Sequence, residues 1–295
     1  MTEELKIIET DVMKSRYTQE STGIILLKIC MLIVVLALIV VVGFIFIKGF
    51  KVLNWDFFTK FPDNGMTEGG IFPAILGTFL LSTGAILFAL PLGVFTAVWL
   101  TEYSRSPKLV RMLRVGINSL AGVPSIVFGL FGLAFLVKFM QFGTSLITGC
   151  IVLGIMVLPT IISTAEEALL TVPKSFKEAS LALGATRWET MYKIILPNSI
   201  SGIITGVILG IGRAAGETAP IMFTAATFFT IRLPSSPFSE VMALPYHIYA
   251  LMTEGSQKGQ LEIAYGTALV LLLLVLTINA AAIAIRIKAR RARKW

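Results

Sequence analysis

Arg213 and Glu217 are the only charged residues between Lys193 and Arg232. They sit four apart in an apolar, glycine-rich run, Ser199–Pro220. A guanidinium stays charged at any relevant pH, and its fork of donors matches the oxygens of a tetrahedral oxyanion. A carboxylate at i+4 falls on the same helical face and neutralises it. Two readings follow. The pair is a self-neutralising structural unit, or Arg213 lines the route of an anion and Glu217 weakens its grip so that the anion passes. Charges of this kind inside a membrane mark transport routes.

Nothing else in the chain offers bond-making chemistry. The dipeptide Gly-Lys never occurs, so no phosphate-binding loop of the G-x-x-x-x-G-K-[ST] kind is present, and HExxH and GxSxG are absent. His247 is the only histidine, which excludes a multi-histidine metal cage. Cys30 and Cys150 lie in apolar runs without ligand-spaced partners and read as inert thiols. We expect no catalytic residue, no metal and no cofactor on this chain.

The elements that hold Arg213 are membrane helices. The chain has 295 residues, is 56% hydrophobic and only 14% charged, and has a mean hydropathy of +0.85. Its apolar runs reach the ~20 residues needed to cross a ~30 Å hydrocarbon layer. Six spans are expected. The first is 23–47, followed by a polar stretch at 48–70 in which Trp55, Phe57 and Phe58 read as interfacial anchors. The second is 69–103, kinked at Pro91, and the third is about 120–140. The fourth covers about 145–165, the fifth about 199–219 and the sixth 263–285. PSSP (234–237) marks a loop, and 241–253 reads as a short interfacial helix.

Of the 25 Lys and Arg, 17 fall in the tail 1–22, the segments 104–116 and 166–197, and the tail 286–295; 6 fall on the other side. The positive-inside rule then puts both termini in the cytoplasm. The net charge of +8 thereby reflects membrane orientation, and no nucleic-acid partner is expected. Arg105, Lys108, Arg111 and Arg114 form a basic stripe that suits lipid headgroups.

The cytoplasmic segment 173–197 reads as two short helices. Ser175 with Glu178, and Thr186 with Glu189, have capping-box spacing. Gly184 between them suits a helix C-terminus. From composition alone this is either a rigid protruding elbow or an amphipathic helix lying on lipid. Beyond it, Gly202, Gly206 and Gly210 recur every four residues, a pattern that lets helices pack backbone to backbone.

Glu178-Ala179-Ser180, Gly184 and Ile194-x-Leu196-Pro197 resemble the EAA loop of ABC-importer permeases (E-A-A-x3-G-x9-I-x-L-P), with Ser180 replacing the second Ala. GRAAGETAPIMFTA (212–225) resembles the PstA-type permeases of phosphate importers. GGIFPAILGT (69–78), GVPSIVFGLFGLAF (122–135), ALGATRW (182–188) and YGTALVLLLLVL (265–276) add to the likeness, which covers about 65–285. Ala219-Pro220 after the GET triplet is closer to that type than to its PstC-type sibling.

The resemblance implies an all-α, six-helix type I importer (MetI-like) fold with a transport core at 69–285. It also implies a multi-pass protein of a bacterial or archaeal inner membrane. Glu178, Ala179 and Gly184 would then couple to a separate ATPase, and Arg213, Glu217 and Thr218 would line the path. Implied partners are a PstC-like permease, two PstB-like ATPase subunits that hold ATP and Mg, and a PstS-like phosphate-binding protein outside the membrane. The alternatives are the sibling subunit, a permease for sulfate or molybdate, and, more remotely, a secondary transporter or a membrane scaffold.

Overall fold

The computed structural model describes the backbone of residues 2–230, 232–253, 255 and 258–291, and no side chains before Glu20 or after Lys288. The side chains expected to make the N-terminal tail polar, and the last four residues of the basic C-terminal tail, lie outside the described residues. The chain divides into two units, Met1–Lys48 and Gly49–Trp295.

The described part of the first unit lies in one helix, α1 (Thr2–Gly49), which contains the apolar span expected at 23–47. The second unit begins with a short helix α2 (Trp55–Thr59), N-capped by the Asn54 side chain, and a two-residue hairpin of β1 (Pro62–Asp63) and β2 (Glu68–Gly69). Trp55 is 80% exposed, as an interfacial anchor should be. Phe57 is not an anchor: it is buried at 2% with Met66, Ile71 and Ala74, because the α2 turn aims it inward.

α3 (Phe72–Val98) runs unbroken through Pro91 and ends in a π-turn, Trp99–Tyr103. α4 (Pro107–Ala121) carries Lys108, Arg111 and Arg114 of the basic stripe, with Arg105 just ahead of it, and has no buried residue. α5 (Ser125–Gly132), extended by a π-segment to Phe139, leaves α4 at 95°. The third span expected at about 120–140 therefore contains a sharp bend, with α5 and its π-segment on the far side of it. Pro124 disfavours helical backbone at Val123 and ends α4 there. α6 (Leu146–Leu170) follows, N-capped by Ser145.

The elbow is α7 (Lys174–Ala182) and α8 (Arg187–Thr190). Here the structure corrects the sequence reading. The helix that starts at α8 does not stop at Pro197. It passes through a π-segment, Met191–Ile195, into α9 (Leu196–Gly216), one 30-residue helix from Arg187 to Gly216. Proline usually breaks a helix by losing a donor and clashing with the carbonyl four residues back. The wider π-turn just before it relaxes that clash, and Asn198 Nδ2 donates to the Ile194 carbonyl at 2.8 Å.

α10 (Ala219–Thr224), α11 (Leu244–Thr253) and α12 (Lys258–Arg291) complete the unit. Among the described residues, five helices are long and apolar enough to cross a membrane, or six when the bent α4–α5 pair is counted as one.

The core lies where α3, α6 and α9 meet, around Leu81, Ala85, Leu153, Val157, Ile161 and Ala214. Small residues bring these helices together. A Cβ on Gly202 would stand 2.4 Å from Ala168 Cβ, on Gly206 1.9 Å from Thr164 Oγ1, and on Gly210 2.8 Å from Ile86 Cδ1. The expected glycine stripe is thus the seam between α9 and its own neighbours α6 and α3. Cys150 is spent on the same packing, its Sγ facing Gly84.

Candidate functional site: an elbow joined to a charged helix break

The elbow is fixed by hydrogen bonds that its sequence supplies. Thr186 Oγ1 accepts from the Glu189 N–H at 3.2 Å, and Glu189 Oε2 accepts from the Thr186 N–H at 3.0 Å, so the second capping box forms as expected. The first does not. α7 begins at Lys174 with Pro173 as its cap, which places Ser175 inside the helix and leaves Glu178 exposed on its surface. Ala179 is exposed beside it.

Gly184 ends the turn with φ +83°, a left-handed conformation that glycine adopts without steric cost. Ser180 is buried, and its Oγ shares a 2.9 Å hydrogen bond with Thr190 Oγ1. The departure from the E-A-A pattern therefore adds a tie from α7 to the α8–α9 helix. Lys177 also pairs with Glu102 at the end of α3. Around this frame Leu183 (89% exposed), Trp188 and Tyr192 turn apolar surface outward.

The other end of the same helix carries the charges. Gly202 sits against Ala168, Gly206 against Thr164 and Gly210 against Ile161, so α9 and α6 run antiparallel. That register puts Arg213 level with Leu158, the midpoint of α6. α9 ends three residues later. Glu217 has extended backbone (φ −77°, ψ 132°), and α10 starts two residues on.

Glu217 is thus beyond the helix, not on its face as i+4 spacing suggested. Its Oε1 still lies 3.8 Å from Arg213 Nε, a loose ion pair. The two side chains keep 35% and 19% of their surface open. Thr218, half-buried, stands in the break and its carbonyl accepts from the Met222 N–H at 3.1 Å. Non-helical backbone at mid-depth is tolerated only where protein buries it or water reaches it.

Two groups near this break were not singled out from the sequence. Gly129 packs on Ala219 and Pro220, and Gly132 on Thr224. α5 and α10 therefore run parallel, which brings Ser125 to the level of Glu217 and Thr218. Thr78 is buried, and its Oγ1 accepts from the Leu244 N–H at 2.8 Å while donating to the Ala74 carbonyl. It pins the start of α11 to α3. Gly77 next to it lets the Met242 carbonyl approach, since a Cβ there would lie 1.9 Å away. The Gly77-Thr78 pair is the visible signal, a small and a hydroxyl residue at the start of an apolar run.

A helix-borne elbow, a membrane core and a mid-depth charge pair describe the membrane subunit of a binding-protein-dependent importer. The chain belongs to that family, the binding-protein-dependent transport system inner membrane component, which it matches over residues 89–293. Among individual relatives, it is 35% identical over 255 residues to the probable ABC transporter permease protein YqgI of Bacillus subtilis, covering 82% of this chain and 86% of that one. It is 36% identical over 203 residues to the phosphate transport system permease protein PstA 1 of Mycobacterium tuberculosis H37Rv, covering 69% and 65%. To the probable PstA of Methanocaldococcus jannaschii it is 35% identical over 207 residues, covering 70% and 72%. An inward-facing structure of the MetNI methionine ABC transporter shares the fold, with a TM-score of 0.56 at 19% identity over 75% of this chain and 94% of that one. The all-α, MetI-like ABC permease fold expected from the motifs is therefore the fold of this multi-pass membrane permease.

Proposed function

We propose that this chain is the PstA-like subunit of an ATP-driven importer of inorganic phosphate in a bacterial or archaeal plasma membrane. The observation that carries this reading is Arg213: a guanidinium level with the middle of α6, at a helix break, paired only loosely with Glu217. An anion arriving there meets a charge that is partly shielded from water and held by one carboxylate, so it is stabilised without being trapped. The names of the PstA relatives supply the substrate class.

The elbow end faces the cytoplasm in this reading, with both termini on that side. Glu178, Ala179 and Gly184 dock a PstB-like ATPase, two copies of which hold ATP and Mg. A PstC-like permease completes the path, and a PstS-like protein delivers phosphate from outside. The chain itself performs no catalysis and binds no cofactor. ATPase closure pushes the elbow, and the continuous helix Arg187–Gly216 carries that displacement to Arg213. α4, set at 95° to α5 with its basic residues exposed, lies along the cytoplasmic headgroups.

The relatives named only as probable ABC transporter permeases keep a second oxyanion in view as substrate. Uptake of labelled phosphate and labelled sulfate into vesicles holding the complete importer separates the two. Saturable, ATP-dependent phosphate uptake that sulfate does not inhibit is the expected result. Uptake of sulfate alone refutes the assignment.

A further inference from the structure

Below Arg213, toward the elbow, α9 carries a second polar region that neither the charge pair nor the docking elbow uses. Ser201, Thr205, Leu209 and Arg213 recur every four residues and form one slowly winding row on the helix. Ser201 and Thr205 open into a groove of about 640 Å³ between α6, α9 and α12. Arg286 of α12 and Glu167 of α6 border the same groove, and both are exposed. Among the described residues neither closes an ion pair.

Leu209, 54% exposed, is the one apolar member of the row and separates the groove from Arg213. Two turns before Arg286, on the Arg213 side of Leu209 and outside the groove, Asn279 lies against Gly212, and among the described residues its buried Oδ1 has no hydrogen-bond partner.

We propose that the groove is a second station for phosphate on its way to the cytoplasm, with Arg286 as its cation and Leu209 as the dry step between stations. The proposal rests on the phosphate reading given above. Each station holds one arginine and one glutamate, Arg213 with Glu217 and Arg286 with Glu167. Each therefore compensates an anion without retaining it. The hydroxyls of Ser201 and Thr205 supply polar contact along the wall, and Leu209 stops the two polar regions from merging into a continuous wet channel. A phosphate group could also reach the groove on a lipid headgroup, and the test separates the two sources.

The test uses the complete importer in inside-out vesicles, with Cys30→Ala and Cys150→Ala as parent and Thr205→Cys added. Negatively and positively charged methanethiosulfonate reagents are applied from the elbow side, with and without inorganic phosphate. We expect Cys at position 205 to react, phosphate to slow the reaction, and Arg286→Gln to abolish that protection. Arg286→Gln should also lower the ratio of negative to positive reagent rates about tenfold, through the loss of one nearby charge.

A reaction indifferent to phosphate and to Arg286→Gln, in vesicles that still release luminal phosphate when ATP is added, overturns the second station and leaves the substrate reading intact. Protection by sulfate instead of phosphate, with ATP-dependent release of luminal sulfate, keeps the station and refutes the substrate. Rates that follow the lipid headgroup class of the vesicle, and not added phosphate, make the occupant a lipid and overturn the proposal.

Discussion

Replacing Arg213 with Gln tests the transport reading most directly. The substitution keeps length and hydrogen bonding and removes one charge. At the 3.8 Å separation of the Arg213–Glu217 pair, an opposite charge gains about 4 kcal/mol at an effective dielectric of ~20 and about 1 kcal/mol in water. An oxyanion held at similar range gains the same. Because a third of the Arg213 side chain is open, screening places the real value between those limits. The expected loss in phosphate uptake is then between about fivefold and a thousandfold, measured as initial rates in proteoliposomes with the partner subunits.

Glu217 sharpens this. In R213Q it stands unpaired and repels the anion, so R213Q/E217Q should transport better than R213Q alone. E217Q alone should bind phosphate more tightly and release it more slowly. Co-purification of R213Q with the ATPase should match wild type, because the elbow is untouched. Uptake by R213Q within twofold of wild type, with normal assembly, would refute the argument.

Other outcomes follow from the packing. Ser180→Ala strands the buried Thr190 hydroxyl and should cost about 1–3 kcal/mol, read as a lower Tm in detergent, with Thr190→Val in the same chain recovering most of it. Gly206→Leu drives side-chain atoms into Thr164 and should cost about 1–3 kcal/mol by overpacking, again read by Tm, whereas the same change at Gly216, where nothing lies within 4 Å, should leave Tm unchanged. Gly184→Pro cannot adopt φ +83° and should abolish ATP-coupled uptake or ATPase co-purification. His247 is buried and, among the described residues, both its ring nitrogens lack a partner; burial lowers its pKa from 6.5 to about 4. The unfolded chain takes up its proton first, so stability is full above pH ~6.5 and falls between about 6.5 and 4; His247→Leu should flatten that part of a Tm-versus-pH curve.

The family and the elbow were legible in the sequence because they depend on fixed spacings. The Thr186–Glu189 box, the Gly184 turn and the glycine seam are local rules, and each reappears in the structure. What escaped was set by context. Pro197 looked like a boundary because the rule for proline assumes a regular α-helix, and a π-turn alters that geometry. Ser175 and Glu178 had the right spacing for a cap, but Pro173 started the helix one residue before Ser175. Glu217 met the i+4 criterion, yet the helix ended before it. Phe57 was indistinguishable from Trp55 by residue type; only the α2 turn sends one inward and the other out. Thr78 matters through a partner 166 positions away, which no local pattern contains.

If the elbow takes the push proposed above, the unbroken helix from Arg187 to Gly216 sets its mechanical gain. Twenty-six residues separate Arg187 from Arg213, about 39 Å of helix at 1.5 Å per residue. A tilt of about 10° at the Gly184 turn would sweep the guanidinium sideways by roughly 7 Å over that length, more than the width of a phosphate ion. Because Gly202, Gly206 and Gly210 lock α9 onto α6 with almost no clearance, that sweep drags both helices together. Under the proposed coupling, a small stroke at the membrane surface would thus be returned as a large one at mid-depth, and the partner supplying the force would need to move less than the cargo.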